Sequence, residues 1–349
     1  MPELWNRHYD RAQLHSLTST LSAIAGLRPF VYDDGRVRNM RGIEGWTGGG
    51  LRFTLWPDRA LDLGPVWFND KPVAWTHPGL GSPNTYEPGG IGWLRTFGGG
   101  LLTTCGLVHI GAPDDYQGVS HGLHGRIAHL PAENLRIWQE WREEDYVLIV
   151  EGEIRQSVLF GEHLLLKRRI ETELGSRQIT VRDTVFNQSS QPTPHSLLYH
   201  CNIGFPILSP GSQLLIDDEK VEPRTPIAAA GLAQHTRFED PVPGYEEQVF
   251  FHYPKVDGEG FAQAALVNPD LNLGILVRWS AETMPVMTEW KMLGAGEYVC
   301  GLEPATHALA SWEELAGKGL PRILQPGETV DYELQLRILT DEVVVYQIL

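Results

Sequence analysis

Apolar positions along the chain fall into two patterns. Near the start, Leu14, Leu17, Leu21 and Ile24 recur at spacings of three and four, which places them on one face of a helix. After Gly26 the helical period disappears. Short apolar runs follow one another, broken by Gly, Pro, Asn and Asp: Leu51–Trp56, Val147–Ile154, Leu164–Ile170, Ile179–Val185, Ser196–Tyr199, Leu273–Val277 and Tyr332–Leu339. Ile179 and Val181 alternate with Thr180 and Arg182, the two-residue period of a half-buried strand. The Gly-Ser step inside Leu174–Arg177 sits between two such runs and reads as a hairpin turn. Pro223–Ala230 reads as the main loop-like break, and Trp312–Ala316 as a short helix. Many short strands with few helices predict an all-β sandwich or barrel, not a doubly wound α/β fold. No linker, low-complexity tract or short repeat divides the chain. The expectation is one large β domain over residues 1–349, with a helical lead-in over 1–26.

Composition narrows the partners. Hydrophobic residues make up 42% of the 349, enough for a full core, and a charged fraction of 21% argues against disorder. The formal net charge of −16 repels phosphate backbones and anionic lipid, so nucleic acid and membrane surfaces are poor partners and a small neutral molecule is a better one. The N-terminus lacks a basic segment followed by an apolar run, and no stretch is long and apolar enough to span a bilayer, so a cytoplasmic location is expected. The three cysteines, Cys105, Cys201 and Cys300, have no CxxC spacing and read as packed thiols. Broad sheet faces leave a homodimer open.

Several common chemistries have no motif here: there is no P-loop, no HExxH and no GxSxG, and Gly98-Gly99-Gly100 is followed by no helical pattern. What remains is acid–base chemistry. Histidines and carboxylates sit beside Gly and Pro in four segments: Trp93–Gly106 followed by His109, His121–Arg126, Pro194–Pro206, and Trp290–Thr306. Taken alone, each residue has an ordinary reading. Glu303 at a strand end would be a solvated carboxylate, His200 in an apolar run a satisfied core histidine, and Arg95 and Arg126 partners of carboxylates. His121 and His124, three apart with His109 nearby, have a spacing that can bind metal.

These segments, together with Pro57–Asp62, His124-Gly-Arg126, Tyr199-His-Cys-Asn202 and Tyr298–Pro304, resemble the aldose 1-epimerase (galactose mutarotase)-like superfamily. Within it they resemble a branch catalogued as a domain of unknown function, and the likeness runs from about Gly42 to the C-terminus. The resemblance implies a large antiparallel β-sandwich with an open sugar-binding cleft. It implies Glu303 as general base, His200 as general-acid histidine and His124 as a ligand near the ring oxygen or O1 of a sugar. Arg126, Arg59, Arg95, His109, Asn202, Trp290 and Lys291 are the accompanying substrate-binding candidates. The family also has a carboxylate that holds distal hydroxyls, for which Asp240, Glu246 and Glu247 are the options. Thr104-Cys-Gly-Leu107 stands where galactose mutarotases carry an asparagine–arginine motif.

The implied function is that of an isomerase interconverting sugar anomers. A base removes the O1 proton while an acid protonates the ring oxygen, and rotation and reclosure give the other anomer. Each positioned proton transfer contributes on the order of 10²–10⁴-fold. That chemistry requires no metal, nucleotide or covalent intermediate. For the acid role His200 must be protonated, so nearby carboxylates are expected to raise its pKa. The same pair would serve an epimerase or isomerase acting at another carbon, and the same fold without turnover would be a sugar sensor.

Overall fold

A computed structural model of the chain describes residues 1–340; the final part of the expected domain, 341–349, lies outside the described residues. Antiparallel strands build three main sheets. In the first, eight strands run in the order Ala132–Arg142, Asp145–Ser157, His163–Glu173, Gln178–Asn187, Thr329–Leu339, Leu273–Ser280, Phe261–Asn268 and Gln213–Ile216. The second has the order Asp218–Pro223, Gln248–Pro254, Val286–Gly294, Glu297–Ala305, Thr193–Ile203 and Arg322–Leu324, with Thr103–Leu107 also pairing to Thr193–Ile203. The third runs from Gly26–Val31 through Arg41–Trp46, Leu51–Trp56 and Asp62–Phe68 to Lys71–Pro72. The expected all-β sandwich with a short N-terminal helix is what the chain forms.

Strand parity decides what each sheet buries. On Gln178–Asn187, Ile179, Val181 and Val185 point into the core while Arg182 is exposed. They meet Leu197, Tyr199, Cys201 and Leu302 of the second sheet and Phe53 and Leu55 of the third in one apolar cluster. At the junction of the three sheets lies a fully buried ion group. Arg168 holds Asp62 at 2.5 Å and Asp183 at 2.6 Å, Tyr199 donates its hydroxyl proton to Asp183 at 2.7 Å, and Thr104 donates its own to Asp62 at 2.6 Å. Taking these charges out of water is costly, and the group survives because every member is hydrogen-bonded.

Two local expectations change. The N-terminal helix covers Arg11–Leu17, closed by a capping box between Asp10 and Gln13, and a separate 3-10 turn covers Leu21–Ala23. Between them the Thr18 hydroxyl accepts from the Thr20 N–H and the Thr20 hydroxyl from the Ser22 N–H. These local bonds compete with helix propagation and leave Leu17 71% exposed. Pro223–Ala230 is not simply a loop. Thr225 caps a helix over Pro226–Gly231, with proline in the first turn where its missing N–H costs nothing. The expected helix at Trp312–Ala316 is present as Trp312–Gly317. Among the described residues no helix is long and apolar enough to cross a membrane.

Candidate active site

The outer face of the second sheet carries an open cavity of about 570 Å³. Two neighbouring strands supply its floor. Leu198 lies opposite Ala305 and Cys201 opposite Leu302, and that register sets His200 across from Glu303. Tyr199 and Cys201, of the other parity, enter the core. His200 Nε2 comes within 3.1 Å of Glu303 Oε1, with both side chains almost fully buried. The approach is close but misaligned, which leaves Glu303 Oε1 without a hydrogen-bond partner among the described residues; His200 Nδ1, the other ring nitrogen, has none there either. Buried polar atoms left unpaired are costly, and a ligand that pairs with them recovers that cost.

The electrostatics of the pair depart from the sequence expectation. Burial pushes His200 down to about 3. Burial, with the charge of Glu247 adding to it and Arg224 opposing it, holds Glu303 well above the usual carboxylate range. Of the two groups, burial therefore favours the proton on Glu303 and the neutral form of the His200 imidazole. The carboxylates near His200 do not raise its pKa, because desolvation of the ring outweighs them.

Aromatic rings form the walls. Trp93 stacks on Phe97 at 4.3 Å between ring centres and approaches His124 at 5.0 Å; Trp75 meets Trp290 edge-on at 6.5 Å. Flat apolar faces beside a polar floor suit a sugar, whose ring has C–H faces and a hydroxyl rim. Trp290 donates its indole N–H to Glu247 at 2.8 Å, which fixes both at the rim. His124 has a positive φ of 55° just before Gly125, and its ring centre lies 5.7 Å from that of His200. Burial and the neighbouring His200 keep its pKa well below the ordinary value.

His200, Glu303, His124 and Trp290 are thus brought together from three distant segments. The other candidates lie elsewhere. Asn202 is buried behind the floor, donating to the carbonyls of Gly100 and His200 at 2.9 and 3.1 Å while its own carbonyl accepts the Trp75 N–H. It positions the wall rather than lining it. Arg59 is buried against the carbonyls of Ala128, Gly81 and Thr96. Arg95 is exposed beside Glu87 at 3.3 Å. Lys291 follows Trp290, so strand parity turns it to the opposite face, where it donates to Gln234 and Arg237 carbonyls. His109 and Arg126 line a separate crevice of about 700 Å³ with His121 and Trp312. His109, His121 and His124 do not converge as a metal set among the described residues.

Of the three carboxylates considered for distal hydroxyls, Glu247 lines the cavity and Asp240 and Glu246 do not. Sequence reasoning missed Arg224, Trp75, His77 and Thr288. Arg224 is exposed at the cavity wall, and its guanidinium has no hydrogen-bond or ion-pair partner among the described residues. Thr288 carried a usable signal, since it shares strand parity with Trp290. A groove of about 620 Å³ elsewhere runs along surface ion pairs such as Arg182–Glu171 and contains none of these candidates.

An antiparallel sandwich with a tryptophan-walled cleft over a buried His–Glu pair defines a galactose mutarotase-like fold. The chain belongs to the family described as Domain of unknown function (DUF4432), whose model matches residues 38–338. Solved structures share the fold. A candidate aldose 1-epimerase from Klebsiella pneumoniae superposes with a TM-score of 0.87 at 24% identity, covering 92% of this chain and 85% of that one. A galactose mutarotase-like protein from Clostridium acetobutylicum gives 0.63 at 13% identity, over 91% and 100%. A galactose 1-epimerase from Lactobacillus acidophilus gives 0.56 at 10% identity, over 90% and 98%. No curated protein matches this chain.

Proposed function

We propose that this protein is a carbohydrate isomerase of the aldose 1-epimerase type, opening and reclosing a sugar hemiacetal with Glu303 and His200. The observation that carries the reading is the pair itself, 3.1 Å apart and unpaired at the floor of an aromatic cavity. The two oxygens on an anomeric carbon are bound to one atom, so a donor and an acceptor side by side can reach both. Groups on opposite faces of the ring are not required.

In the one-proton state, the Glu303 carboxylic acid gives its proton to the ring oxygen while neutral His200 takes the O1 proton. The C1–ring oxygen bond breaks and a C1 carbonyl forms. After rotation about C1–C2, reclosure returns both protons. The form with Glu303 as carboxylate and His200 as imidazolium holds the same number of protons and performs the same steps with the roles exchanged, so the pair titrates as a unit. His124 and Glu247 are placed to orient hydroxyls, and Trp290 and Trp93 to take the C–H faces. Unpaired Arg224 at the wall favours a sugar with an anionic substituent, such as a uronic acid, despite the negative charge of the whole chain.

Saturation-transfer NMR of anomeric exchange over neutral aldoses, ketoses and uronic acids tests this, with Glu303→Gln and His200→Asn beside the parent. Acceleration for at least one sugar, lost in both folded variants, is the expected result, with uronic acids foremost. Binding without faster exchange of any sugar refutes it and leaves a sensor or chemistry at another carbon.

A further inference from the structure

The strand carrying Trp290 also has an inner face, and Glu289 lies on it. Its Oε2 is approached by two histidines from different elements. His252 Nε2, on Gln248–Pro254, lies 3.1 Å away, and His235 Nδ1, just after the 3-10 turn Leu232–Gln234, lies 3.0 Å away. The three ligand atoms all fall within 4.8 Å of one another. His252 and Glu289 are fully buried, and the His235 side chain is 15% exposed.

We propose that His235, His252 and Glu289 form a binding site for a divalent transition ion of the zinc class, closing a structural cross-link behind the active-site wall. Two imidazole nitrogens and one carboxylate are a recurrent zinc donor set, with the fourth position filled by water or by the second oxygen of the carboxylate. Donors about 2 Å from a tetrahedral ion lie roughly 3.3 Å apart, so the two His–Glu spacings need to open by only a few tenths of an ångström, and the two imidazole nitrogens lie within 4.8 Å of each other. The surroundings point the same way. His252 presents its other nitrogen, Nδ1, to Asp218 at 2.8 Å, the carboxylate–histidine arrangement that orients a metal-bound imidazole. Lys291 donates to the carbonyls of Gln234 and Arg237 on either side of His235 and so holds that segment in place. Glu289 Oε1 is buried with no hydrogen-bond partner among the described residues. Most buried carboxylate oxygens are paired, and a second contact to an ion would pair this one. His235, at the protein surface, provides the entry path.

The competing arrangement is a proton in place of the metal. Zinc would displace that proton. The site lies on the opposite face from the sugar cavity, and the inference stands whichever reaction occurs there.

The test uses the full chain purified without a histidine tag, stripped with chelator and titrated with zinc and cobalt(II). One equivalent bound per chain by elemental analysis is expected, with a rise in Tm of a few degrees and the intense visible bands of four-coordinate cobalt. Glu289→Gln and His252→Gln should weaken binding at least 100-fold. Asp218→Asn removes no ligand, only the carboxylate behind His252, and should weaken it roughly 10–100-fold. His121→Asn, in the other histidine cluster, should change nothing. If Glu289→Gln fails to fold, the Asp218→Asn titration decides alone. Absence of stoichiometric binding, or binding unchanged in Asp218→Asn and His252→Gln, overturns the proposal.

Discussion

Acid should destabilise this protein through its buried neutral histidines, and the size of the effect follows from their environments. Burial lowers His109 and His195 to about 4, His200 to about 3 and His129 to about 2, and drives His124 well below its ordinary value. Each would titrate near 6.5 in the unfolded chain. A histidine depressed in the folded state contributes stability that is present above about 6.5 and is lost as pH falls towards its folded pKa. Between pH 7 and pH 5 the unfolded form of one such residue gains about 2 kcal/mol from protonation that the folded form cannot match. Five of them approach about 10 kcal/mol, comparable to the whole stability of an ordinary domain. Part is offset by carboxyl groups whose burial raises them, such as Asp62 and Glu303, which take up protons in the folded state.

The clean measurement is therefore a difference. His195 is fully buried, with Nδ1 2.8 Å from the Leu107 carbonyl and Nε2 2.8 Å from the Tyr332 hydroxyl. Urea unfolding of the parent and His195→Gln at pH 7 and pH 5 isolates its share. Whatever the variant costs at pH 7, its loss on going to pH 5 should be smaller than the parent's by about 2 kcal/mol. Equal losses in the two proteins would mean that His195 titrates alike in both states and that burial does not depress it.

Three further outcomes follow from the geometry. A Cβ on Gly301 would lie 2.5 Å from Glu303 Oε1, so Gly301→Ala should displace the carboxylate and slow anomeric exchange on the order of 100-fold, with sugar affinity nearly unchanged; NMR exchange and titration separate the two. Exchange rate against pH should show a broad plateau. It falls at low pH when the Glu303–His200 pair takes a second proton on His200, and at high pH when Glu303, raised by burial, loses the only one, so a profile flat across both limbs would exclude the pair. Arg168→Met strands Asp62 and Asp183 without their cation and should cost about 3–5 kcal/mol in denaturant unfolding, more at alkaline pH.

Local pattern determined a large part of this protein. Leu51–Trp56 is a strand with the ends its apolar run marks, and the runs at 147–154, 164–170 and 179–185 lie inside longer strands, because alternation is a property of neighbouring residues. The Gly175 turn has its positive φ of 81° where the Gly-Ser step placed a hairpin. The N-terminal helix and the 223–230 segment were misjudged where short polar side chains decided the outcome: Thr18 and Thr20 stopped one helix, and Thr225 started another.

Which polar residues share a site was settled by register between strands far apart in sequence. His200 and Glu303 face each other because Cys201 pairs with Leu302, and Glu247 meets Trp290 because Gln248 pairs with Lys291. One step of parity sends Lys291 and Glu289 to the inner face while Trp290 stays at the cavity. Arg59, Arg95 and His109 sit in the right segments and point elsewhere, and Arg224 reaches the wall from a stretch with no recognisable motif. A side chain's direction depends on parity and pairing, and its charge on the dielectric around it. Sequence carries the first only within a strand, and burial of His200 and Glu303 in a shared dry floor exists only once the sheets have assembled.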